Sequence, residues 1–120
     1  IAQIETTLGA LCMNKGDFAA AEAHYKRALA VYEVRLGPEH FEVANSLTRL
    51  AGLELKRERP ADAELYVRRA MAIREKALGP THAHTLQSML DLVAVHRAAG
   101  KETEAAELEK RVQDLRAIKP

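Results

Sequence analysis

The residues able to do chemistry in this chain are five histidines, one cysteine and the carboxylates around them. His82 and His84, one residue apart, could turn two imidazoles toward one metal ion, and His40 lies in a segment of the same kind 42 residues earlier. A zinc site needs three or four ligands, commonly Cys or further His at short spacing. No Cys and no carboxylate cluster accompanies His82-Ala83-His84, so no metal and no cofactor is expected. Cys12 and His24 offer a nucleophile and a base. Each lies within an ordinary helical pattern without a Gly-rich elbow or oxyanion-hole signature. Glu54 and His96 occupy the position equivalent to Cys12, which points to a tolerant structural site. No catalytic residue is assigned, and the chain is expected not to be an enzyme.

That equivalence comes from an internal repeat. Leu36-Gly37-Pro38-Glu39-His40 returns as Leu78-Gly79-Pro80-Thr81-His82, and an ungapped overlay of residues 1–42 on 43–84 gives 15 identities. A third, shorter copy begins at Thr85. Sequence periods of this size mark stacked supersecondary units. Ile4-Leu8-Leu11, Leu47-Leu50-Leu53 and Met89-Leu92-Val95 have the spacing of three or four that gathers apolar side chains on one helical face, and strand-like alternation is missing. Ala21/Ala63/Ala105 and Ala28/Ala70 mark a second helix per unit whose small residues allow close approach.

The punctuation agrees. Gly16 and Gly100 suit left-handed helix stops, and Asp17 suits the N-cap that follows. Unit two has Glu58-Arg59-Pro60 there, so Glu58 is expected to take the left-handed conformation at a cost of ~1 kcal/mol relative to Gly, with Pro60 in the first helical turn. Gly37-Pro38 and Gly79-Pro80 end the longer second helices. The pattern predicts helices near 2–15, 18–36, 41–57, 61–78, 83–99 and 102–118. In the last of these, Ala105-Leu108-Val112-Leu115-Ile118 forms one inward stripe. Glu109 replaces the Tyr25 and Val67 of the earlier units, and the outward residues are charged, so this helix reads as a polar cap that ends the array.

Leu50-Ala51, Ala63-Glu64, Arg69-Ala70 and Ile73-Arg74-Glu75-Lys76-Ala77-Leu78-Gly79-Pro80-Thr81-His82 together resemble the tetratricopeptide repeats (TPR) of kinesin light chains and their bacterial relatives, over nearly the whole chain. The resemblance implies an all-α fold: an α-solenoid of antiparallel helix pairs in three TPR-like units, about 1–42, 43–84 and 85–120, forming a right-handed superhelix. It implies a non-enzymatic protein-protein interaction module that binds a partner peptide or protein segment in a concave groove lined by the first helix of each unit. Carried over position by position, that groove would contain Gln3, Thr6, Ala10, Met13 and Asn14 from unit one. Unit two would supply Asn45, Thr48, Arg49, Gly52, Leu55 and Lys56, and unit three Gln87, Leu90, Asp91, Ala94, Arg97 and Ala98.

Two departures shape the expected partner. Kinesin-light-chain repeats typically carry an Asn-Asn pair where this chain has Thr6-Thr7, Thr48-Arg49 and Leu90-Asp91, so amide clamping of a peptide backbone is not expected. Chaperone adaptors clamp a C-terminal carboxylate with Lys and Asn at positions matching Thr6, Ala10, Arg49, Gln87 and Asp91. Of these only Arg49 suits that task, so a carboxylate clamp is not expected either. With Arg49, Lys56 and Arg97 opposed by Asp91 alone among the groove positions, the groove is expected to be locally positive and to favour acidic residues, with Asn45 and Gln87 offering hydrogen bonds and Leu55 and Leu90 apolar contact.

Composition narrows the rest. Eighteen Lys and Arg against seventeen Asp and Glu give a formal net charge of +1, with signs interspersed and no basic stripe interleaved with aromatics, so nucleic acid is not an expected partner. No apolar run approaches the roughly 18 residues of a membrane span. Lone Cys12 fits a disulfide-free, cytoplasmic setting. The chain starts at Ile1 inside a helical pattern and reads as a piece of a longer repeat protein, whose N-terminal edge of Ile1, Ile4 and Leu8 is expected to be uncovered and to self-associate. The alternatives to groove binding are a structural spacer or self-association repeat without a dedicated ligand, and a regulatory segment of a multidomain protein.

Overall fold

A computed structural model describes residues 2–118. Its six helices are α1 Ala2–Asn14, α2 Phe18–Leu36, α3 Phe41–Lys56, α4 Pro60–Leu78, α5 Ala83–Ala98 and α6 Glu102–Ile118, within one or two residues of the sequence expectation at every end. Consecutive helices pack on one another, and α3 also touches α5, giving a stack of three antiparallel pairs measuring 39 × 32 × 18 Å. Among the described residues no helix is long and apolar enough to cross a membrane.

One backbone device sets the hairpin inside each unit. Gly16, Glu58 and Gly100 have φ of 82°, 60° and 79°, and the next amide, from Asp17, Arg59 and Lys101, donates back to the carbonyls of Cys12, Glu54 and His96 at 2.8 Å each time. This is the bond that closes a helix C-terminus through a left-handed residue. It uses main-chain atoms, which is why the position tolerates cysteine, glutamate and histidine. Asp17 Oδ1 then accepts from the Ala20 amide at 3.3 Å, while α4 has no side-chain cap and starts on Pro60. Between units, Gly37 and Gly79 take φ of 95° and 93°. His40 and His82 there have a defined task as N-caps: their Nδ1 atoms accept from the Glu42 and His84 amides at 3.1 and 3.0 Å. Among the described residues no three His, Cys, Asp or Glu are grouped to hold a metal ion.

Packing follows the repeat with graded side chains. Leu47, Leu50 and Leu53 are completely buried in the middle unit, Leu50 and Leu53 against Ala21 and Tyr25 of α2. Inside unit one, α1 and α2 meet at Gly9, where an added Cβ would stand 2.6 Å from the Tyr25 ring. The same pair is Ala51 with Val67 in unit two and Val93 with Glu109 in unit three. Glu109 stays half-exposed and accepts from Arg97 Nη2 at 2.8 Å. The inward stripe of α6 is shorter than its spacing suggests. Ala105 and Val112 are buried and Leu108 and Leu115 half-buried, but Ile118 is 69% exposed because the helix runs past the end of α5. On the opposite edge Ile4, Leu8 and Leu11 are 64%, 40% and 51% exposed, although Leu8 and Leu11 correspond to the buried Leu50 and Leu53. Ile1 lies outside the described residues.

Candidate peptide groove on the first helices

The first helices bring part of the expected groove together. Between α1 and α3 lies a cleft of about 380 Å³ lined by Gln3, Thr6 and Thr7 on one wall, Glu42, Asn45, Ser46 and Arg49 on the other, and Tyr32 of α2. Gln3, Thr6, Asn45 and Arg49 are among the positions that the family resemblance implied. Glu42 and Ser46 lie one turn from them on α3, and Tyr32 enters from the second helix of the preceding pair.

The donors in this cleft are unequally available. Thr6 and Thr7 donate their hydroxyls to the Ala2 and Gln3 carbonyls at 3.0 Å, and Thr48 donates to the Ala44 carbonyl at 2.9 Å, so toward a ligand these three are acceptors. Asn45 is held at both ends: its Nδ2 donates to Glu42 Oε1 at 3.3 Å and its Oδ1 accepts from Arg74 Nη2 at 2.9 Å. Gln87 likewise donates to Asp91 Oδ1 at 3.1 Å. Of the two amides expected to be free for a ligand, Asn45 is therefore committed through both its nitrogen and its oxygen, while Gln87 uses only one N–H.

Arg74 is a residue that the sequence reading did not single out. Ala63, Val67, Ala70 and Arg74 follow the three-to-four-residue stripe of α4, and the arginine is buried like the others. Its guanidinium donates to Ser88 Oγ at 2.8 Å as well as to Asn45, tying α4 to both α3 and α5. Burial lowers its proton affinity, opposed by the charge of Asp91. Burial likewise raises the Asp91 carboxyl above its usual range, and the bond from Gln87 and the charge of Arg74 pull it back. In unit one the equivalent position is Tyr32.

The expected excess of positive charge is smaller than the sequence suggested. Arg97 turns away to α6, donating to Glu102 at 3.2 Å and Glu109 at 2.8 Å, so it is neutralised by its own unit. Glu42 shares the cleft with Arg49. What remains is Arg49 and Lys56, both exposed on α3. The apolar candidates also belong partly to the core. Met13 Sδ accepts from the Tyr25 hydroxyl at 3.6 Å, Leu55 packs beside Ala51 and Val67, and Leu90 packs beside Leu86 and Met89. Asn14 is exposed at the end of α1.

Helix pairs stacked at a 42-residue period define an all-α helical-repeat fold. The chain belongs to the tetratricopeptide-repeat family, whose model matches residues 1–76, and its repeats are of the kinesin-light-chain-like type. No curated protein matches. Solved structures do. BtubC (BKLC) from P. vanneervenii is 26% identical with a TM-score of 0.87 over 98% of this chain. The TPR-like repeats of a kinesin light chain from Podosopora anserina are 24% identical with a TM-score of 0.85 over 97%, and the N-terminal domain of stress-induced protein-1 from C. elegans is 17% identical with a TM-score of 0.69 over 95%. The last two likenesses concern the fold alone. The chain spans 47% of the BtubC chain and 55% of the Podosopora chain. Tetratricopeptide repeats generally mediate protein-protein interaction and are typically not enzymes.

Proposed function

We propose that this chain binds an extended segment of a partner protein along the concave face, seated in the cleft between α1 and α3. The observation that carries the reading is the cleft itself: an open, polar trough beside Arg49, in which Gln3, Tyr32 and Arg49 retain donors that none of the hydrogen bonds described above uses. These donors suit carboxylate and carbonyl oxygens, so acidic residues are the preferred partner chemistry, and a charged rim acts chiefly on association rate and selectivity. Arg49→Glu with Lys56→Glu tests this. The expected outcome is loss of partner capture at low salt with an unchanged circular dichroism spectrum. Undiminished capture of the same partners would remove the groove as the binding site.

A second reading has its own observation. The exposed Ile4, Leu8 and Leu11 form an apolar strip along α1, and self-association through it would cover surface that monomers rarely leave open. Sedimentation velocity over a wide concentration range, with Leu8→Glu and Leu11→Glu as the disrupting pair, separates this from groove binding.

A further inference from the structure

The two junctions between units differ on the side of the second helices. At the first, α4 reaches across to α2 and α3. Tyr66 packs against Leu47, Leu50 and their neighbours, and Arg69 Nη2 reaches across to Glu33 Oε2 at 2.5 Å. At the second, 42 residues on, the tyrosine is Leu108, the buried Val43 is Thr85, and the bridging pair becomes Arg111 and Glu75. A cleft of about 310 Å³ stands there between α4, α5 and α6, floored by Met71, Met89, Leu92, Leu108 and Leu115 and rimmed by Arg68, Glu75 and Arg111. Thr85 lines it and is 1% exposed, and its Oγ1 has no hydrogen-bond partner among the described residues. The ion pairs among the described residues include neither Glu75 nor Arg111, whereas Arg68 is held by Glu64 at 2.7 Å.

Such a cleft, apolar inside with a few polar groups converging on it, has the make-up of a small-molecule site at the lower end of the usual size range of about 300–1,000 Å³. The first junction shows what is unmet here, namely an aromatic ring where Leu108 stands and a carboxylate bonded to the rim arginine, since Glu75 lies on the rim without pairing to Arg111. We propose that the cleft between α4 and α6 binds a small arylalkanoic acid. Its ring takes the place that Tyr66 fills at the first junction, against Met71, Leu92 and Leu108. Its carboxylate accepts from Arg111, as Glu33 does from Arg69, and from the Thr85 hydroxyl. A buried hydroxyl without a partner is costly, and the ligand oxygen supplies one.

Three methionines make the test direct, because Met71 and Met89 line the cleft while Met13 lies in unit one. Methyl-labelled protein is titrated with hydrocinnamate and, as the uncharged counterpart, hydrocinnamyl alcohol. Saturable shifts of the Met71 and Met89 methyls with Met13 unmoved are expected, the acid binding more tightly than the alcohol. Arg111→Gln should lower the acid-to-alcohol affinity ratio about tenfold, the loss of one charge-assisted hydrogen bond. Leu108→Tyr, which installs the ring of the first junction, should abolish binding by a chain that is still folded. If that variant does not fold, Arg111→Gln and Thr85→Val decide, the latter weakening the acid more than the alcohol. Unmoved Met71 and Met89 methyls at high ligand concentration, an equal response from Met13, or an affinity ratio indifferent to Arg111→Gln would each overturn the proposal.

Discussion

Gly9 offers a test of how the solenoid grades its helix contacts. Replacing an exposed helical glycine by alanine ordinarily stabilises a helix by about 1 kcal/mol. Here the new methyl would stand 2.6 and 2.7 Å from two carbons of the Tyr25 ring, and that ring is itself buried, 3% exposed, among Ala21, Leu50 and Leu53. The ring cannot swing away without displacing the junction to unit two, so overpacking of roughly 1–3 kcal/mol opposes the propensity gain. The net expectation for Gly9→Ala is a loss of about 1 kcal/mol, more if α1 shifts away from α2. Tyr25→Val alone opens a cavity and should lose about 2–4 kcal/mol. The double variant reproduces the Ala51 and Val67 pair that unit two already packs, so it should be more stable than the sum of the single losses by roughly 1–2 kcal/mol, the coupling expected of residues in contact. Urea unfolding followed by far-ultraviolet circular dichroism on all four proteins gives the cycle. If Gly9→Ala stabilises by the full propensity term, or the coupling is near zero, the close approach of α1 and α2 does not constrain this contact.

Other outcomes follow from the same packing. Leu50→Ala, which removes a fully buried side chain at the junction of α2 and α3, should cost roughly 2–5 kcal/mol in a urea titration. Glu54 is buried, and its carboxyl is raised above the usual range first by that burial and then by the charge of Glu22, against Arg57 and Arg59. Between its ordinary and raised values the folded chain holds a proton that the unfolded chain lacks, so this group contributes less stability as pH rises through that window. Glu54→Gln should therefore stabilise the chain at neutral pH and flatten the dependence, measured as the shift in urea midpoint from mildly acid to neutral solution. Arg74→Met should raise the Asp91 carboxyl further, because the guanidinium charge now pulls it down. Carboxyl carbon NMR titration reads this directly, and an unchanged Asp91 would break the link drawn between α4 and α5.

Element boundaries were legible because they rest on local signals. Positive-φ glycines, Pro60 and the apolar spacing each act within one or two turns of chain, and the repeat supplied the second helix of every pair. Even the strained Glu58 could be read from its alignment with Gly16 and Gly100. Which side chains face the cleft was only half legible. Gln3, Thr6, Asn45 and Arg49 lie on the predicted face, yet Tyr32 lines the cleft from a second helix, Arg74 bonds Asn45 from another, and Arg97 turns to Glu102 and Glu109. Spacing assigns a residue to a face of its own helix. Whether that face meets solvent, a neighbouring helix or an opposite charge depends on how pairs stack across 42 residues, and a buried arginine reads as a surface one until its partners are in place. The stripe that buries Leu50 and Leu53 leaves Leu8 and Leu11 exposed for the same reason: equivalent leucines of two units have different neighbours in the stack.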